Sequence, residues 1–221
     1  MAKILGIMGE SGAGKTTSMR NLDPTTTYYI DCDKKGLSWK GWKKQYNAEN
    51  KNYFCTDLQN DVLAIMSGIN EHRPNIKTII IDTLNGIMVA DEMRRSKEKG
   101  YDKWMDLAVS VYGIIDYALT MKEDMTVIFV CHSQTVRDDS GYMFTSIKTN
   151  GQKLSKIGLE TKFPIVLYAK CEVVSKEKVT EVTLSAPDFE DFSLEKLSAY
   201  FLNSLSSVGI LFLSLSITSI A

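Results

Sequence analysis

Apolar runs bounded by turn-forming residues recur along the chain: KILGIMG (3–9), TTTYYID (25–31), KTIIIDT (77–83), TVIFVCH (126–132) and FPIVLYAKCEVV (163–174). Their apolar stretches are continuous rather than alternating, which predicts strands buried on both faces. Between them lie segments with helical spacing. In LQNDVLAIMSGINE (58–71), Leu58, Val62, Ile65, Met66 and Ile69 fall on one stripe. In DKWMDLAVSVYGIIDYALTMKE (102–123), Trp104, Leu107, Ala108, Val111, Ile114, Ile115 and Ala118 do the same. Buried strands alternating with amphipathic helices predict an α/β fold with a mostly parallel central sheet flanked by helices. Further on, CEVVSKEKVTEVTLS (171–185) alternates around a charged centre and predicts a C-terminal antiparallel hairpin. The segment 188–204 then reads as a capped terminal helix.

No repeat or low-complexity linker interrupts this pattern, so residues 1–204 read as one domain, followed by an apolar tail at 205–221. No charged residue occurs from Leu197 to Ala221, yet VGILFLSLSI (208–217) is short for a membrane span and broken by serines. A docked or poorly ordered tail is expected, and a membrane partner is not. The first residues enter a strand at once, so no signal peptide is expected.

Composition narrows the classes. At 221 residues the chain suits one well-cored domain, and 44% hydrophobic with 24% charged residues is ordinary for a globular protein. With 26 basic against 27 acidic residues, any nucleic-acid binding must rest on a local patch. Cys32, Cys55, Cys131 and Cys171 form no CxxC pair. They are expected to be buried free thiols in a cytoplasmic setting.

The sharpest motif is Gly9-Glu10-Ser11-Gly12-Ala13-Gly14-Lys15-Thr16, a GxxxxGKT loop running into Thr17. It follows the strand KILGIM and precedes the helical run TTSMRNL, as a phosphate loop requires. Glycines let backbone N–H groups turn inward around an anion, Lys15 reaches the β- and γ-phosphates, and the Thr16 hydroxyl binds Mg²⁺. ATP and Mg²⁺ are the implied ligands, with Gly9–Thr17 as the nucleotide loop. KTIIIDT supplies the partner carboxylate for the metal, Asp82, at the end of a buried strand.

Hydrolysis also needs a group that orients or deprotonates water. The residue after Asp82 is Thr83, so a base must come from elsewhere. YYIDCDKKG offers Asp31 and Asp33, which share a face if the segment is extended. Asp33 is the candidate base; a turn residue in DKKG is its plainer role. His132, where VIFVCH meets a polar loop, is the fourth polar group at a strand end. His72, in NEHRPN, reads as a capping or solvated residue, and Trp39 and Trp42 as packing for a short helix beside the second strand.

This order of motifs resembles the RecA-like ATPases: a phosphate loop, an acidic residue after the next strand, a Walker B aspartate without an adjacent glutamate, and a polar sensor. "YYIDCD" places Asp33 where that family carries its catalytic glutamate, and "VIFVCH" places His132 at the γ-phosphate sensor. The chain is most similar to short phage proteins made of a RecA core alone, nucleotide-binding and single-strand annealing proteins, over roughly residues 1–185. The resemblance implies ATP hydrolysis with Lys15, Asp33 and His132 as catalytic groups, single-stranded DNA as partner, and the (host) cytoplasm as location. A homo-oligomer on DNA and a single-strand-binding protein are the further partners it implies.

In that family, loops after the Walker B and sensor strands face DNA. Here residues 133–162 form a long polar stretch with a DDSG hairpin signal, and Arg137, Tyr142, Phe144, Lys148 and Lys153 could contact phosphates and bases. A second basic cluster, Arg94, Arg95, Lys97, Lys99 and Lys103, carries interspersed acids and reads first as a solvated face. Two alternatives stay open: a P-loop kinase of a small substrate, and an annealing or regulatory module that binds nucleotide with little turnover.

Overall fold

Ile79, Ile80 and Ile81 are each fully buried although successive strand side chains point to opposite faces. A strand so placed must be covered on both sides, and a computed structural model shows what covers it. The structure describes residues 1–100, 102–137, 140–151, 158–174 and 177–185. The elements are β1 (Lys3–Gly9), α1 (Lys15–Ser18) running into a 3-10 turn, β2 (Thr27–Asp31), α2 (Trp42–Gln45), β3 (Tyr53–Cys55), α3 (Gln59–His72) and β4 (Thr78–Asp82). There follow α4 (Leu84–Arg94), α5 (Asp102–Thr120), β5 (Thr126–Arg137), β6 (Met143–Ile147), a 3-10 turn at Leu159–Lys162, β7 (Ile165–Val174) and β8 (Glu177–Ser185).

The sheet order is β3-β2-β4-β5-β1-β7-β8. Pairings from β3 through β7 are parallel, and β7–β8 is the antiparallel hairpin expected at the C-terminal end. On one face, Ile4, Ile30, Ile79, Ile81, Val127 and Phe129 pack against Val62 and Met66 of α3, Leu84 and Met88 of α4, and the predicted stripe of α5. On the other, Ile7, Tyr29, Ile80, Ile128 and Val130 pack against Met19, Leu37 and Tyr46. Trp39 contributes edge-on contacts to Tyr29 and Tyr46, as its packing role requires.

Several expectations change. Leu58 precedes α3 and is exposed, because the helix begins one residue later. Cys55 is exposed, since β3 is the edge strand, whereas Cys32 and Cys131 are buried, and none of the four cysteines forms a disulfide with another. β3 and α4 had no clear periodic signal, being a three-residue strand and a helix wrapped in polar residues. The largest change concerns the stretch after His132. β5 does not end there but continues to Arg137, and β6 returns antiparallel to it, pairing Arg137 with Met143 and Ser133 with Ile147. The two form an arm leaving the sheet. The terminal helix and the 205–221 tail lie outside the described residues. No helix among the described residues is long and apolar enough to cross a membrane.

Candidate functional site

The parallel register brings the strand ends together: Gly9 pairs with His132, Asp82 with Val130 and Asp31 with Asp82. In open α/β sheets ligands gather outside the carboxyl ends of the strands. β5 lies between β1 and β4, so Gly9, His132 and Asp82 occupy successive strand ends.

The phosphate loop opens on Gly9, where a Cβ would meet the Ala169 carbonyl oxygen of β7 at 2.4 Å, so no larger residue fits. Gly12 and Gly14 hold left-handed backbone, at φ 81° and 87°. Gly14 is the N-cap of α1, turning the chain so that the helix starts at Lys15. Its first N–H groups have no intrahelical acceptor, which leaves them for an anion. The Lys15 ammonium donates to the carbonyls of Gly9 (2.8 Å) and Glu10 (2.7 Å) and is only 6% exposed. Burial pushes it below the usual lysine range, opposed by the Asp82 charge. Glu10, Ser11 and Ala13 complete the loop, and the Thr17 hydroxyl meets that of Ser38 at 2.7 Å.

Asp82 is 3% exposed. Its Oδ2 accepts from the Thr16 hydroxyl at 2.7 Å and, over a short contact, from the buried Tyr29 hydroxyl. Its Oδ1 is the one buried side-chain polar atom without a partner among the described residues. Burial raises its carboxyl above the usual range, and the two hydroxyls oppose that rise. An unpartnered buried acceptor costs about 1–3 kcal/mol. A divalent cation, or its bound water, would satisfy it, so Thr16 and Asp82 fit the Mg²⁺ expected there. No cluster of His, Cys, Asp and Glu suited to a resident metal occurs among the described residues.

Asp31 and Asp33 do not act on one face. β2 ends at Asp31, and the chain bends there. Asp31 Oδ2 accepts from the Gly36 N–H (2.7 Å) and the Tyr53 hydroxyl (2.8 Å), which pins the bend. Asp33 turns the other way: Oδ1 accepts from Thr83 (2.7 Å) and Oδ2 from Lys35 (2.5 Å). Burial works to raise the Asp33 carboxyl, but these donors outweigh it and hold it below the usual range. Gly86 is required here, because a Cβ would lie 2.6 Å from both Asp33 Oδ1 and the Cys32 carbonyl oxygen.

His132 is half-buried, and burial, together with the Lys15 charge, lowers its pKa. Its ring is therefore neutral near pH 7. Its backbone is held at both ends: the N–H donates to Asn85 Oδ1 (2.7 Å) and the carbonyl accepts from the Lys148 N–H (2.7 Å). Asn85 Nδ2 donates in turn to the Lys148 carbonyl (2.6 Å), so one buried side chain ties α4 to the root of the arm.

Arg137, Tyr142, Phe144 and Lys148 are all exposed on or beside the arm, and Lys153 lies outside the described residues. Directly paired residues of an antiparallel ladder share a face. Arg137 thus lies with Met143, while Phe144 lies with Val136 on the opposite face. Of the basic cluster after Walker B, the two arginines are engaged internally: Arg94 pairs with Asp57, and Arg95 with Glu98 and Asp106. His72 ends α3 and is solvated beside Glu71. Sequence reasoning missed Tyr29, Lys35, Thr83 and Asn85. The signal for Tyr29 was available, two residues before Asp31 on a strand. Thr83 before LNG was a readable N-cap, and its hydroxyl does accept from the Gly86 N–H.

Fold and corner together define a P-loop nucleotide-binding domain. The family model described as "AAA domain" matches residues 1–190, and the chain belongs to that family. Among solved structures it is similar to the flagellar accessory protein FlaH from Methanocaldococcus jannaschii, at 14% identity over 84% of this chain and 79% of that one, with a TM-score of 0.45. It is also similar to a KaiC-like protein from Pyrococcus horikoshii, at 12% identity over 82% and 77%, with a TM-score of 0.46. Comparison with curated proteins finds no match.

Proposed function

We propose that the protein binds ATP·Mg²⁺ and hydrolyses it, and that it couples this cycle to single-stranded DNA held along the β5–β6 arm. The observation that carries the reading is Asp82, whose Oδ2 is fixed by Thr16 and Tyr29 while Oδ1 has no donor among the described residues. A carboxylate so oriented suits a metal carried in with the nucleotide. Mg²⁺ at Thr16 and Asp82 would neutralise charge on the β- and γ-phosphates. Lys15 would bind the same oxygens, Asp33 would orient and accept a proton from water, and the neutral His132 ring would contact the terminal phosphate. Recombination or strand annealing on DNA, as an oligomer, is the setting the RecA-like resemblance suggests. The exposed Tyr142 and Phe144, with Arg137 and Lys148, support a nucleic-acid contact.

A second reading is supported by Asp33, whose two oxygens are both engaged by protein donors: nucleotide bound with little turnover. A kinase lid finds less support, because Arg94 and Arg95 are spent in ion pairs. The test is ATP turnover by wild type, Lys15→Ala and Asp33→Asn, with and without single-stranded DNA. DNA-stimulated hydrolysis lost in both variants is expected. Nucleotide and DNA binding without turnover selects the second reading, and turnover only with a phosphoryl acceptor selects the kinase.

A further inference from the structure

The Asp33 carboxylate is poorly placed to take a proton while Lys35 holds it. The pair is unequal in exposure: the Asp33 side chain is 15% exposed and that of Lys35 55%. Asp33 is fixed by the Thr83 hydroxyl and by the chain on either side. The Cys32 N–H donates to the Asp82 carbonyl at 2.6 Å, the Gly36 N–H to Asp31, and Lys34, in left-handed backbone at φ 57°, pairs with Asp57 at 2.9 Å. The backbone of Lys35 is thus anchored from both directions, while its four-carbon side chain reaches into solvent. An anchored root with a half-exposed head, held to Asp33 only at its tip, is the form of a group that changes partner.

A second partner is at hand. The Lys35 ammonium bonds Asp33 Oδ2, Asp33 Oδ1 accepts from Thr83, and Thr83 adjoins Asp82, whose Oδ2 accepts from Thr16 of the phosphate loop, so the Lys35 head stands at the same strand-end corner as that loop. A terminal phosphate carries more negative charge than one carboxylate and presents several acceptor oxygens to the three ammonium donors. A diphosphate has no such group at that point.

We propose that Lys35 is a phosphate-operated latch on Asp33: it holds the carboxylate in the apo and diphosphate states, and transfers to the terminal phosphate of a bound triphosphate, freeing Asp33 for water. The proposal rests on the ATPase reading above for its consequence and on nucleotide binding alone for its test. It makes the acidic group available only when there is a bond to cleave.

The experiment is a double-mutant cycle in binding, by titration calorimetry of the whole chain with Mg²⁺ and either ADP or a non-hydrolysable ATP analogue. Lys35→Ala is expected to weaken the analogue about tenfold or more and to leave ADP within about twofold, as loss of one charge-assisted contact predicts. Asp33→Asn releases Lys35 and is expected to tighten the analogue several-fold. In a Lys35→Ala background that gain should shrink, because no ammonium is left to release. Lys35→Arg should retain part of the preference. An analogue-to-ADP ratio unchanged in Lys35→Ala, or an equal Asp33→Asn gain in both backgrounds, overturns the latch. If wild type binds nucleotide with the expected ratios but turns over no ATP, the latch stands and the hydrolysis reading falls. If it binds no nucleotide, both fall.

Discussion

At the nucleotide corner, Lys15, Asp82, Thr83 and Asn85 are buried, and a network of short hydrogen bonds fixes their heads. A few residues further along the same edge, Tyr142 and Met143 are 68% and 61% exposed, on an arm held to the body through its root. The corner contains polar groups in places where burial is costly, and among the described residues only Asp82 Oδ1 goes without a partner there. The arm contains apolar groups where water reaches them. Chemistry that depends on distance belongs in the first setting, and recognition of a flexible partner in the second. Mutations should separate the two regions, since residues without shared contacts act nearly independently.

The largest separation is expected from Lys15→Ala, which should lower nucleotide affinity or turnover about 10²–10³-fold, as loss of a preorganised cationic donor does. DNA binding measured without nucleotide should be unchanged, and its collapse would show that corner and arm are one unit. Asn85→Ala tests the tie between them. It strips partners from the His132 N–H and the Lys148 carbonyl, and should cost about 2–3 kcal/mol in urea denaturation. A loss below about 0.5 kcal/mol would mean the arm's root holds without it. On the arm, Tyr142→Ala and Phe144→Ala should each weaken single-stranded DNA binding by about 1–2 kcal/mol, the worth of a base stack. Nucleotide affinity and melting temperature should barely move; unchanged DNA binding in both would remove the arm from the DNA reading.

The smallest effect concerns pH. Burial lowers the His132 pKa below its ordinary 6.5, so the folded state takes up its proton less readily than the unfolded chain. Its contribution is present above pH 6.5 and is lost as the pH falls through the lowered folded value. Between pH 7.5 and 5.5, wild type should lose more stability than His132→Gln, measured by denaturant midpoint at each pH. Equal losses would mean the ring is not held neutral by its surroundings.

How much of this was readable beforehand follows from which interactions are local. β1 and β4 follow from continuous apolar runs and sit within a residue of their expected bounds, and α5 follows from helical period and ends three residues short of its expected bound. The GxxxxGKT loop is a contiguous motif and needed only its flanking elements. β5 was legible to His132, where its apolar run ends; the extension is polar because it has left the sheet, and polarity reads as loop. Thr83, Asn85 and Lys35 owe their placement to partners 50, 63 and two residues away, and the nearest of these depends on a bend pinned by Asp31. Asp33 was singled out by a spacing that presumes an extended strand, whereas β2 ends at Asp31 and the two carboxylates take different partners.

β5 is one strand of 12 residues with neither glycine nor proline, paired in the sheet as far as His132 and in the arm beyond it. Its five residues beyond His132 span about 16 Å at the usual rise of a strand. Mechanically this is a lever with its fulcrum beside the site. A tilt that moves the backbone at His132 by a fraction of an ångström is multiplied toward Arg137, without a hinge to absorb it.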